Sequence, residues 1–183
     1  MKKLYMILPL ALILCFMVSC LDKAAMAELE EFRAQAALEK QNEALYKRFI
    51  DEFNKGNLDI FEELLASGFV CYSLSGNKQP LSREEWIEGM KNVLKALPDL
   101  HYDIKSIFVD NDIVIASTLG SATHKGEYMG LPPSGNRISD VSAITVIQLK
   151  EGKFIKEWAV VDNLSLMQQL GMELKPKEDV SLR

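Results

Sequence analysis

The sequence predicts an α+β domain in which helices come first and an antiparallel sheet follows. Between 41 and 97, apolar residues recur at helical spacing and are bounded by capping and stop signals. From Tyr102 onward the period changes to two, with turn signals separating runs rich in β-branched residues. Helices followed by strands in this order place the helices over one face of a sheet. With 183 residues, a charged fraction of 26% and no long polar insert, the chain suits one modest domain over 41–172 plus an N-terminal appendage and a short tail at 173–183. A domain of that size buries about two thirds of its unfolded surface, enough for a real core.

The appendage begins with Lys2 and Lys3 and an unbroken apolar run from Leu4 to Val18, short for a membrane span and right for the apolar region of an export signal. Residues 1–19 are therefore expected to be a signal peptide. The run ends Val18-Ser19-Cys20, which resembles a bacterial lipobox, although Met17 stands where leucine is usual. That resemblance implies lipidation of Cys20, attachment to the membrane through the acyl chains, and residence in the bacterial cell envelope facing the periplasm or the cell surface. The other reading is an uncleaved signal anchor. Cleavage would remove two of the 21 basic residues and none of the 26 acidic ones, leaving 19 against 26, a balance of −7. A domain so charged repels nucleic acid and anionic head groups. Cys15 would leave with the signal and Cys20 would be modified, so Cys71 is expected to be a free thiol, buried as a small hydrophobe between Val70 and Tyr72.

From 20 to 40 the chain is rich in Ala, Glu and Lys, lacks Gly and Pro, and carries only a thin apolar stripe at Met26, Leu29 and Phe32. This is expected to be a helical spacer between lipid and domain, the alternative being a helix packed on a partner or on the domain itself. From Gln41 the stripe broadens through Leu45, Phe49, Ile50 and Phe53 until Lys55-Gly56-Asn57 stops the helix. A second helix carries Ile60, Phe61, Leu64 and Leu65 and ends at Ser67-Gly68. A short strand follows over Phe69–Leu74. Ser82 with Glu85 forms a capping box, so a third helix runs from Arg83 to about Leu97 with Trp86, Met90, Val93 and Leu94 inward, stopped by Pro98. Strands are then expected over Tyr102–Val109 and Ile113–Thr123, with Asp110-Asn111-Asp112 turning between them.

The last pair of strands, Val141–Leu149 and Phe154–Val161, is joined by the tight turn Glu151-Gly152. Alternation places Trp158, Val160 and Asp162 on one face of the second strand and Glu157, Ala159 and Val161 on the other. An indole, an aliphatic group and a carboxylate on one surface have the composition of an apolar pocket with one orienting or reactive polar group. The alternative is that Asp162 caps the helix beginning near Leu164.

Taken together, NEALYKRFIDEFNKGNLDIFEELLASGFV, LPDLHYDIKSIFVDNDIVIAS, THKGEYMGLPPSG and EGKFIKEWAVVDNLSLMQQLG resemble the SnoaL-like polyketide cyclase, or ester cyclase, family over nearly all of Gln41 to Gly171. The glycine and proline pattern from Gly126 to Gly135, and Trp158 with Asp162 and Gln169-Leu170-Gly171, are its specific parts. The resemblance implies a nuclear transport factor 2-like cone, a curved antiparallel sheet folded over N-terminal helices around a cavity. It also implies that Asp162 is the general acid or base of an intramolecular aldol closure. One departure stands out: Tyr72 occupies a place where members commonly carry histidine, and a phenol does not exchange protons near neutrality as imidazole does.

Among the remaining candidates, His124 and Tyr128 share a face on a regular strand, which makes His124 either a proton-transfer group of the pocket or a solvated edge residue. Pro132 and Pro133 form a stiff loop at the cavity mouth or a plain strand connection. Trp158 favours the pocket and Trp86 the helix core, while Tyr72 can donate a hydrogen bond to a ligand oxygen. His101 and His124 have no cysteine or carboxylate cluster at ligand spacing, so no metal is expected. No phosphate loop, nucleotide fingerprint or nucleophile triad is present, so no cofactor is expected either.

Three functions remain open at this level. One is a cofactor-independent cyclase, isomerase or hydratase acting next to a carbonyl of a small apolar substrate through Asp162. A second is a non-catalytic binder of a small hydrophobic molecule. The third is an interaction domain that forms homodimers through its outer sheet face. A shared fold does not choose among them.

Overall fold

A computed structural model of the chain describes the backbone of residues 4–73, 79–173 and 175, and side chains from Lys23 onward. One helix, α1, runs unbroken from Leu4 to Asn54. The Cys20 side chain lies outside the described residues, and no described helix is long and apolar enough to cross a membrane. Residues 23–34 of α1 are exposed, and burial begins in earnest at Asn42 and Tyr46. Helix α2 (Asp59–Leu64) is shorter than the sequence indicates, because the chain is already extended at Leu65 and strand β1 spans Leu65–Ser73 through Ser67-Gly68. A two-residue strand, β2 (Leu81–Ser82), precedes α3 (Arg83–Ala96). The capping box forms in full, with Ser82 and Glu85 each accepting a backbone N–H of the other residue.

Four long or middle-length elements follow: β3 (His101–Asp110), β4 (Ile113–Thr123), β5 (Arg137–Lys150) and β6 (Lys153–Val161), after which α4 (Asn163–Gln169) closes the domain. Strand order is β2-β1-β6-β5-β4-β3. Strand β1 pairs antiparallel with β2, and β3, β4, β5 and β6 pair antiparallel in turn, whereas β1 lies parallel to β6: after β2 the chain crosses through α3 to the far edge at β3 and meanders back until β6 reaches β1. The β5–β6 turn places Glu151 and Gly152 at φ +51° and +72°, both left-handed, as a two-residue hairpin requires.

The main core lies between the concave face of the sheet and the three helices. Phe49 contacts Phe61 and Phe154 at centroid distances of 5.8 and 5.2 Å, and Trp86 meets Phe61 and Phe69 edge-on at 5.2 and 5.8 Å. A smaller cluster, including Leu97, Ile138, Val141, Leu166 and Leu170, seals the other end under α4. Two asparagines fasten α1 to the sheet. Asn42 donates to the Asn111 carbonyl at 2.8 Å, and Asn54 both donates to and accepts from the Tyr102 backbone at 2.9 Å.

Candidate functional site

The parity of β1 and β6 decides which side chains enter the space under the helices. On β1, Phe69 and Cys71 are buried, so Tyr72 must face the other way. Cys71 stands opposite Glu157 and Tyr72 opposite Trp158 in the parallel register. The inward set of β6 is therefore Glu157, Ala159 and Val161, which line a cavity of about 170 Å³. Helix α1 contributes Tyr46, Phe49, Ile50 and Phe53, α3 contributes Trp86 and Met90, and β3 to β5 add Tyr102, Thr118, Ala143, Thr145 and Ile147.

This corrects the expected site. Trp158 and Tyr72 are half-buried and stack on each other at 5.5 Å, 14° from parallel, on the face that turns away from the cavity. Asp162 is exposed and is the N-cap of α4, its Oδ1 accepting from the Ser165 N–H at 2.9 Å. Its own N–H continues the ladder to the Ser142 carbonyl at 2.9 Å. Strand ends at Val161 and helix begins at Asn163, so a side chain that satisfies an N-terminal helix donor is held at the rim. Of the two readings open for Asp162, the geometry is that of the cap.

His124 is neither solvated nor a cavity residue. It is fully buried just past β4, where the chain is not a regular strand but a loop closed by bonds from the His124 N–H to the Asn136 carbonyl and from the Gly135 N–H to the His124 carbonyl, 3.0 and 2.9 Å. The Ser134 N–H donates to Nδ1 at 3.2 Å, so the neutral ring carries its proton on Nε2, which has no partner among the described residues. Pro132 and Pro133 are exposed on this loop, outside the cavity lining. Tyr128 is half-buried, bridges to Leu131 and packs on the smaller cluster, near enough for its phenol to act electrostatically on Tyr102. Its own phenol is pushed up by burial.

The carboxylate that the cavity does hold is Glu157. Burial pushes it up to about 7, and side-chain hydrogen bonds from Cys71 and Trp86 oppose that rise only in part. A carboxyl at this value is protonated in half the molecules near neutrality, the condition for both giving and taking a proton. The Cys71 thiol is raised to about 12, first by burial and then by the charge of Glu157, so it remains protonated and serves as a donor. Tyr46 is pushed up for the same two reasons and shares a hydrogen bond with Thr145. Trp86, expected to be only core, is both core and the indole neighbour of Glu157. Trp158 is the tryptophan that the cavity lacks. No group of three metal-ligating side chains occurs among the described residues.

The family model of the SnoaL-like polyketide cyclases matches residues 43–170. No curated protein matches the chain in sequence. Among solved structures, AclR from Streptomyces galilaeus, named as a candidate hydroxylase, superposes with a TM-score of 0.67 at 28% identity, over 73% of this chain and 97% of its own. A SnoaL-like protein from Jannaschia sp. CCS1 gives 0.67 at 23% identity over 75% and 96% of the two chains. IdmH from Streptomyces antibioticus, named as a candidate polyketide cyclase, gives 0.64 at 24% over 72% and 99%. The latter two likenesses speak to the fold alone. With the match covering both helices and sheet from α1 to α4, the chain belongs to the SnoaL-like polyketide cyclase family.

Proposed function

We propose that the protein is a cofactor-independent acid/base catalyst that moves a proton next to a carbonyl of a small apolar substrate, in a cyclisation, isomerisation or hydration. Glu157 takes the role that the sequence alone attached to Asp162. The observation that carries this reading is a single buried carboxyl, poised at about 7, in a cavity walled mostly by aromatic and aliphatic groups, with Cys71, Thr118 and Thr145 as small polar additions. A cavity of about 170 Å³ is close to the roughly 150 Å³ apolar cavity known to admit benzene, so the part of the substrate that enters it is about one ring in size. The test is proton exchange at the α carbon of a monocyclic ketone. Wild type should wash out α-deuterium and Glu157→Gln should lose on the order of a hundredfold or more in rate. Exchange unchanged in that variant would leave the cavity a binding site without chemistry.

A second use of the domain rests on the opposite face. Phe108, Ile115, Val146, Trp158 and Tyr72 pair in succession across five strands, with Ile144 and Val160 alongside. Phe108 and Ile144 are 67% and 48% exposed, and a row this apolar is a surface for a second copy. Ile144→Arg should convert a dimer to a monomer in sedimentation without changing the cavity, and a wild-type monomer at high concentration would remove this reading. Anchoring in the cell envelope through Cys20 belongs to the same proposal and is supported by the Val18-Ser19-Cys20 sequence. Cys20→Ala should abolish the lipid mass and the membrane partitioning of the mature protein.

A further inference from the structure

The cavity holds two tyrosines, and they are not equivalent. Tyr46 shares its hydroxyl with Thr145. The Tyr102 hydroxyl has no hydrogen-bond partner among the described residues, although everything else about this residue is fastened. Its N–H and carbonyl are both bonded to Asn54 at 2.9 Å, and its ring lies against Phe53 at 5.5 Å. The remaining side of the ring is given room by Gly120, where a Cβ would stand 3.1 Å from Cε1. A side chain so firmly seated, lining the cavity and carrying an unused donor, is a preorganised group waiting for an acceptor.

We propose that Tyr102 binds the carbonyl oxygen of the substrate, which makes the part of the substrate held in the cavity a neutral ketone of about one ring whose α carbon is presented to Glu157. The proposal rests on the acid/base reading of Glu157 given above. Strands β6 and β3 are separated by β5 and β4, three inter-strand spacings or ~14 Å along a flat sheet. Both side chains line the same cavity, and beyond burial the Tyr102 phenol is influenced first by the Tyr128 phenol and then by the Glu157 carboxyl, so the hydroxyl and the carboxyl border the space that a ligand fills. Burial holds that phenol up to about 12, so at neutral pH it is a donor and never a competing anion.

The step balances without a co-reactant. The Glu157 carboxylate takes the α proton, the C–H electron pair becomes the C=C bond of an enolate, and the carbonyl π pair moves onto oxygen, where the Tyr102 O–H hydrogen bond strengthens as charge grows. Glu157, now a carboxylic acid, returns the proton to carbon or to the oxygen of a second carbonyl attacked by the enolate. A donor aimed at developing charge in a dry site typically contributes 10²–10³ in rate.

The test uses the full chain, wild type, Tyr102→Phe and Glu157→Gln, with monocyclic phenols as enolate mimics, toluene as a shape control and α-deuterated cyclohexanone as the exchange probe. Tyr102→Phe should lose about tenfold or more in phenol affinity, keep toluene affinity, and slow exchange by roughly a hundredfold. Its thermal stability should stay level, because no internal hydrogen bond is removed; a purely structural hydroxyl would lower it. Glu157→Gln should keep the preference for phenol over toluene while losing exchange. If wild type does not prefer phenol, or Tyr102→Phe binds phenol and exchanges like wild type, the role of Tyr102 is refuted while that of Glu157 stands. Exchange that survives Glu157→Gln refutes the acid/base reading instead, and phenol selectivity then decides Tyr102 alone.

Discussion

Burying Glu157 stores free energy in its protonation state, and this can be measured before any substrate is known. The carboxyl moves from an ordinary value of 4.5 to about 7 on folding, which at 1.36 kcal/mol per pH unit amounts to about 3 kcal/mol. The sign follows from which state binds the proton more tightly. Below 4.5 the group is neutral in both folded and unfolded chains and burial costs little. Between 4.5 and 7 the unfolded chain ionises while the folded one holds its proton, so stability falls as pH rises, and above about 7 the loss is complete. Carboxylates such as Glu52, Glu63, Glu85 and Asp99 are shifted the other way by their hydrogen bonds, so their contributions vanish below 4.5 and do not overlap this window. In Glu157→Gln the amide oxygen can still accept from Cys71 and Trp86, but its NH₂ gains no new partner, at a cost of about 1–3 kcal/mol. The variant should therefore lose the slope between pH 5 and 7.5 and match or exceed wild-type stability by pH 8. Denaturant unfolding followed by tryptophan fluorescence across pH 4.5–8.5 makes the comparison, with Trp86 beside the titrating group as the reporter. Parallel curves for the two proteins would show that Glu157 ionises as a solvated carboxylate, and the reading of the cavity as an acid/base site would fall with it.

The cap at α4 separates rim from cavity. Asp162→Asn should leave stability within a few tenths of a kcal/mol, Asp162→Ala should cost about 1 kcal/mol, and neither should alter binding of a cavity probe, as chemical denaturation and titration can check. Gly126→Ala should destabilise by more than about 2 kcal/mol in thermal unfolding, since its Cβ would stand 2.5 Å from the Lys95 carbonyl oxygen and 2.9 Å from the Ala96 Cα, both backbone atoms that cannot yield locally. A chain beginning at Gln35 should unfold cooperatively with an unchanged midpoint. Residues 23–34 are exposed, while Glu39, which accepts from the Asn111 N–H at 3.1 Å, is retained. A lowered midpoint would show that Met26, Leu29 and Phe32 cover part of the core.

The elements of this domain are legible in its sequence because their signals are local. The capping box at Ser82 and Glu85, the Asp110-Asn111-Asp112 turn and the Glu151-Gly152 turn act through neighbours in the chain, and each forms where the residues place it. The two faces of β6 were legible for the same reason, since alternation sorts Glu157, Ala159 and Val161 from Trp158, Val160 and Asp162 without any tertiary information. Which face meets the helices was not, because both carry apolar groups and the choice is made by packing against Phe49, Trp86 and Met90, far away in sequence. One clue was present: a strand that buries Phe69 and Cys71 cannot also turn Tyr72 inward, and Tyr72 is the residue that stacks on Trp158. A change of parity exchanges every side chain between cavity and surface, and with it the candidate acid. The ordinary pKa of a glutamate is a property of the residue, whereas a value of about 7 belongs to the desolvated space that three helices and a curved sheet enclose. The sequence thus determined where the strands run and which residues share a face, and only the tertiary structure decided that Glu157 would be shut inside while Asp162 capped a helix at the rim.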